Sequence, residues 1–67
     1  MFIKLTNASP AHKDQPVIIN TEHVISVHRT EVTREDFSKD TITYVYAGTS
    51  GTWEIVETLD EIFEMIK

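Results

Sequence analysis

The sequence predicts an α+β domain, with a small, antiparallel, strongly twisted β-sheet of about five strands and one C-terminal amphipathic helix. Short segments alternate between apolar and other residues with the period of two that is typical of strands. Polar or glycine-containing connections separate these segments. Near the C-terminal end the apolar residues instead recur with helical spacing. Because the chain has 67 residues, we expect a single domain over residues 1–67.

The first three strands are predicted near residues 2–6, 16–19 and 24–30. Ile3 and Leu5 share one face of the first strand. A polar loop connects it to the second strand, which Pro16 can begin because a first residue need not donate to the ladder. In the third strand the alternation weakens beyond Arg29.

The fourth and fifth strands, near residues 41–47 and 52–56, give the clearest strand pattern. The fourth is β-branched and aromatic nearly throughout, a composition that favours strands. A turn at 48–51 with a glycine at each end can supply positive φ, so we expect the fifth strand to return antiparallel beside the fourth.

Residues 30–40 allow two interpretations: a long polar loop, or a protruding extension of strands three and four tipped near residues 35–39. Val32 and Phe37 are the only apolar residues of this segment. We favour the hairpin, because long structureless loops are uncommon in small compact domains.

The helix is predicted near residues 58–66. Thr58 is suited to the N-cap, and Glu61 three residues later completes a capping box. The apolar residues recur at i, i+3, i+4 and i+7, which places them on one stripe: Leu59, Ile62, Phe63 and Ile66.

Composition excludes several classes of protein. The chain has no cysteine, so disulfides and thiolate metal sites are absent. Its net charge is -5, with six Lys and Arg against eleven Asp and Glu, and no basic cluster suits a phosphate backbone. We find neither a secretory signal nor an apolar run of membrane-spanning length, which predicts a soluble, cytoplasmic protein that binds neither membrane nor nucleic acid.

Self-association is predicted from the size of the helix. A helix over residues 58–66 is only about 14 Å long. It is too short to cover a five-stranded sheet whose two faces both carry apolar residues, so we expect a homo-oligomer, a dimer or larger. The candidate interface residues are apolar or aromatic residues of the fourth and fifth strands and of the 30–40 segment: Val32, Phe37, Tyr44, Val45, Tyr46 and Trp53.

We predict no catalytic, cofactor-binding or metal site. His12, His23 and His28 have no recognised metal-ligand spacing. The acidic residues near the helix are expected to form a solvated face rather than a catalytic pair: Glu54, Glu57, Asp60, Glu61 and Glu64. Aromatic side chains on the sheet suit core or interface packing better than base stacking, because basic neighbours are few. We therefore expect a protein that is not an enzyme.

The order of these features resembles the FlbD-type, or swarming motility, family of small proteins encoded among bacterial flagellar genes. The resemblance covers most of the chain outside residues 7–15 and 30–40. It rests on short motifs: Ile3-Lys4-Leu5-Thr6, Val17-Ile18-Ile19-Asn20 with Glu22, Val24-Ile25-Ser26-Val27, Thr41-Ile42-Thr43, Trp53 to Thr58, Asp60-Glu61-Ile62 and Ile66. It implies a small motility or regulatory factor without catalysis.

The sequence therefore predicts a non-enzymatic interaction or regulatory module that self-associates and binds a protein partner, with a motility-related role. Two alternatives stay open. One is an acidic inhibitor or nucleic-acid mimic of phage or mobile-element type, whose acids would line one surface at regular spacing. The other is a small oligomeric RNA-binding protein, whose basic residues would cluster across subunits.

Overall fold

The computed structural model describes residues 1–67 and confirms the α+β class, with five strands and one C-terminal helix. Three 3₁₀ turns lie at Pro10–His12, Thr21–His23 and Gly48–Ser50. The main elements are β1 (Phe2–Thr6), β2 (Pro16–Asn20), β3 (Ser26–Thr33), β4 (Lys39–Tyr46), β5 (Thr52–Ile55) and α1 (Leu59–Ile66).

The strands form two antiparallel sheets rather than one, a pair β1–β2 and a triplet in the order β3–β4–β5. An antiparallel bridge between Asn7 and Ile55 joins them. Beside it, the Ala8 amide donates to the Glu54 carbonyl at 2.8 Å, and the Val56 amide to the Thr6 carbonyl at 2.9 Å. The spatial order is therefore β2–β1–β5–β4–β3, with free edges at β2 and β3.

This division changes how the core is covered. The buried apolar cluster draws on β1, β2, β4, β5 and α1: Ile3, Leu5, Ile19, Val45, Ile55 and Ile62. The strand pair β1–β2 therefore contributes more of the cover over the inner face of the triplet than the helix does. The end of β1 bonds beside β5 through Thr6, and three residues of the pair belong to the core cluster where the helix supplies one.

The hairpin interpretation of residues 30–40 is confirmed. β3 and β4 pair as far as Thr33 and Lys39. In the turn, the Phe37 amide donates to the Arg34 carbonyl at 2.9 Å and the Arg34 amide to the Ser38 carbonyl at 2.8 Å. Phe37 has a φ of 67°, a left-handed conformation that glycine usually adopts.

The β4–β5 turn and the start of α1 follow the predictions from sequence. Gly48 has a φ of 61°, and a Cβ there would lie 3.0 Å from Ile25 Cδ1. Glycine therefore suits this position for two reasons, its backbone conformation and the lack of space for a side chain. At the helix start, the Glu61 amide donates to Thr58 Oγ1 at 3.2 Å, and the Thr58 amide donates to Glu61 Oε1 at 3.1 Å. The predicted capping box is confirmed.

Candidate interaction surface

The six predicted interface residues lie in three separate places. Val45 and Trp53 belong to the inner side of the triplet, where Val45 is 2% exposed and Trp53 packs against the core. Because Val45 is buried, its side chain is not part of the molecular surface. The other four, Val32, Tyr44, Tyr46 and Phe37, lie on the outer face of the triplet or at the hairpin tip.

The outer face of the triplet carries an aromatic row. His28 on β3 lies opposite Tyr44 on β4, with ring centroids 5.6 Å apart and planes tilted by 47°. Tyr46 lies two residues along β4 on the same face and is exposed. This face combines apolar ring area with polar atoms, a combination found in protein contact surfaces.

The apolar stripe of α1 is the surface that reasoning from sequence missed. Of its four residues only Ile62 is buried, whereas Phe63 is 61% exposed and Leu59 and Ile66 are also exposed. The stripe and Val27 of β3 line a groove of about 320 Å³ with Asp60 at its rim. A large part of the helix's apolar side therefore faces solvent in the single chain.

This groove is continuous with the interior. A second, apolar cleft of about 150 Å³ is lined by core residues of both sheets and shares Val27, Ile62 and Ile66 with the helix groove. The core thus reaches the surface beside α1, on the side where β2 and β3 are not hydrogen-bonded to each other. The sequence did offer one indication of this exposed apolar surface, because the helix was predicted to be too short to cover the sheet.

Arg34, the first residue of the turn between β3 and β4, connects the hairpin to the rest of the protein. Its guanidinium contacts Asp40 through Nε at 2.9 Å, Glu54 through Nη1 at 3.0 Å, and the Ala8 carbonyl through Nη2 at 3.3 Å. The hydrogen bond with Asp40, followed by that with Glu54, raises the pKa of Arg34. Because three different segments converge on one side chain, the protruding hairpin has a defined orientation. No sequence pattern indicated this contact.

The five acidic residues near α1 do not form one uniform surface. Glu54 pairs with Arg34. Glu57 accepts hydrogen bonds from the Thr6 amide at 2.8 Å and the Thr6 hydroxyl at 2.9 Å, while Glu61 serves in the capping box. Glu64 contacts Lys67 at 3.0 Å. The fifth acid, Asp60, is one of the residues that line the α1 groove.

The histidines are dispersed. His12 lies in the first 3₁₀ turn, His23 in the second and His28 on β3, and all three are exposed. No group of three or more His, Cys, Asp or Glu side chains lies close enough together to hold a metal ion. No helix has the length and apolar character needed to cross a membrane.

No family model, curated protein or solved structure matches this chain. The FlbD-type resemblance therefore stays a prediction. Any functional proposal rests on the surfaces of the chain itself.

At the hairpin tip, Asp36 organises the turn. Its carboxylate accepts hydrogen bonds from the Ser38 hydroxyl at 2.6 Å and the Ser38 amide at 3.0 Å, which lower the pKa of Asp36. Because the pKa is lower in the folded state, these bonds stabilise the turn fully at pH values above the ordinary pKa of a carboxyl group. That contribution is lost as the pH falls through the folded-state pKa.

We expect Ser38→Ala to raise the pKa of Asp36 toward its ordinary value, since the hydroxyl bond is the larger cause of the lowering. The measurement is a titration of the side-chain carboxyl by NMR. Ser50→Ala, in the turn before β5, is the matched control and should leave the Asp36 titration unchanged. An identical Asp36 titration in Ser38→Ala would contradict the assignment.

Proposed function

We propose that this protein is a non-enzymatic interaction module that self-associates and contacts a protein partner. The observation that carries the proposal is the exposed apolar stripe of α1, in which Phe63 is 61% exposed beside a groove that reaches the core. Burying an apolar side chain of this size contributes about 1.5–3 kcal/mol, so a second polypeptide on this surface would add substantially to a small domain's stability.

The aromatic outer face provides a second surface for a protein partner. Tyr44, Tyr46 and His28 lie there together, and Tyr side chains are enriched in protein contacts. The motility-related role that we propose rests on the FlbD-type resemblance alone. The two alternative functions gain less support, because several acidic and basic side chains are already paired with one another within the chain.

Self-association is tested by light scattering with a pair of helix variants. We expect the natural chain to exceed its monomer mass of 7.7 kDa at micromolar concentration. Phe63→Gln should weaken association about tenfold, because it removes an apolar ring from the groove while retaining a good helix former. The fold should persist, since Phe63 is exposed.

Met65→Gln is the control for this experiment. Met65 is also exposed on α1 but does not line the groove. Its association constant should stay close to that of the natural chain. A monomer at all concentrations tested would refute the proposed self-association, and equal weakening by both variants would place the contact elsewhere on the helix.

A further inference from the structure

We propose that two copies of this chain pair antiparallel through the free edge of β3, about a two-fold axis at Thr30. Each Arg29 then lies opposite Glu31 of the partner subunit. This inference rests on the proposed self-association and names the surface and register through which it occurs. The pairing would join two three-stranded sheets into one continuous sheet.

The hydrogen-bond phase of β4 identifies the free groups of β3. On the β5 side, the Ala47 amide donates to the Gly51 carbonyl at 3.0 Å, so odd-numbered residues of β4 bond to β5 and even-numbered ones to β3. The bond from the Arg34 amide to the Ser38 carbonyl has the same phase. The residues of β3 whose amides and carbonyls point away from β4 are Val27, Arg29, Glu31 and Thr33.

The other free edge, β2, is less suited to pairing. The Thr21 amide donates to the Met1 carbonyl at 2.8 Å, which sets the phase of the β1–β2 ladder. Its outward positions are then Pro16, Ile18 and Asn20, and proline has no amide hydrogen to donate. β3 spans eight residues without proline or glycine, which makes it the longer uninterrupted edge. Proteins that avoid edge pairing commonly shorten such strands or place proline in them.

Charge selects the register. Arg29 is half-buried and donates to Thr43 Oγ1 at 2.8 Å, but it has no carboxylate within ion-pair distance in its own chain. Glu31 has only Lys39, at 3.7 Å. An axis at Thr30 places each Arg29 opposite a Glu31, whereas an axis at either of those residues would oppose two like charges. Directly opposite charges favour pairing and like charges disfavour it.

The same register uses the whole edge. It sets Val27 opposite Thr33 of the partner subunit, so all four outward-facing residues of each copy are paired. It also carries each hairpin tip toward the end of the partner's strand at which Val27 borders the α1 groove. Phe37, at that tip, is 87% exposed. The strand edge and the helix groove are therefore neighbouring parts of one contact surface.

The test is a charge exchange between subunits. Arg29→Glu alone would oppose Glu to Glu, and Glu31→Arg alone would oppose Arg to Arg. We expect each variant to self-associate about tenfold more weakly than the natural chain. When the two variants are mixed, one chain carries acids at both positions and the other carries bases at both. Every cross-strand pair in the heterodimer then joins opposite charges, so the mixture should associate with near-natural affinity.

Lys4→Glu provides the control for a general effect of charge, because Lys4 is an exposed base on β1, three strands away from β3, and the substitution makes the same change in charge as Arg29→Glu. It should leave association unchanged in sedimentation equilibrium. Hydrogen exchange gives a readout without mutation. The Arg29 and Glu31 amides should become protected as the concentration of the natural chain rises, while the outward Ile18 amide of β2 should not.

The outcomes separate this inference from the proposed function. If the natural chain associates but Glu31→Arg does not weaken it, the β3 register is wrong while self-association stands. Failure of the mixed variants to recover affinity, with both variants folded by circular dichroism, overturns the register too. A natural chain that stays monomeric overturns both proposals.

Discussion

Ile55→Ala is expected to lower the free energy of unfolding by about 2–5 kcal/mol, enough to unfold much of the population. Ile55 is fully buried, with 0% of its surface exposed, and it belongs to the cluster shared by both sheets and the helix. It also lies opposite Thr43 on β4 and bridges to Asn7. Truncating this side chain leaves a cavity where the two sheets meet.

Ile18→Ala is the matched control, since it is the same substitution on a strand where the side chain is 67% exposed. We expect its free energy of unfolding to change by less than about 1 kcal/mol. Urea unfolding followed by the fluorescence of Trp53, the only tryptophan, measures both variants. Since self-association would add to apparent stability, the comparison is made at one protein concentration. Equal effects of the two substitutions would place Ile55 outside the folding core.

Local signals in the sequence predicted the secondary structure well. The alternation around Ile3 and Leu5, the two-glycine turn before β5 and the Thr58–Glu61 capping box each involve residues close together in sequence. Periodicity and capping act over a few residues, so one sequence is enough to recognise them. The hairpin over residues 30–40 was preferred to a loop for a different reason, because long structureless loops are uncommon in small compact domains.

Long-range contacts were not predictable in this way. The bridge from Asn7 to Ile55 and the bonds of Thr6 with Glu57 link residues about fifty positions apart. They join the β1–β2 pair to the β3–β4–β5 triplet, and no local pattern encodes that connection. The convergence of Asp40, Glu54 and Ala8 on Arg34 is similar, because each contact depends on strands already being in register.

The candidate surface was predicted only in part for a related reason. Alternation assigns residues to faces of a strand but does not say which face another sheet will cover. Val45 was placed among the interface candidates although it lies in the core, whereas the exposure of Phe63 follows from how few neighbours α1 meets. Exposed apolar side chains do occur on strands, as Phe2, Ile18 and Tyr46 show, and the stripe of α1 adds an exposed surface that alternation did not indicate.

Thr43→Val should lower the free energy of unfolding by about 1–3 kcal/mol, although the two side chains have nearly the same shape. Thr43 is fully buried, and its hydroxyl accepts from Arg29 Nη1 and donates to the Glu57 carbonyl. Valine leaves both partners without this bond inside the protein. The loss is costly because the Glu57 carbonyl and the half-buried Arg29 guanidinium are only partly open to water, which does not fully replace the bonds of the hydroxyl.

Thr41→Val, on the same strand, is the control: Thr41 is exposed and its hydroxyl makes no hydrogen bond within the chain. Chemical denaturation should give a lower free energy of unfolding for Thr43→Val than for Thr41→Val. Indistinguishable unfolding curves would show that the Thr43 hydroxyl does not contribute to stability.

Because Thr43 also orients Arg29, its loss has a second expected consequence. Thr43→Val should weaken pairing through β3 under conditions where the variant is still folded, whereas Thr41→Val should not. The hydroxyl would then act both in the core and in positioning the charge that selects the strand register.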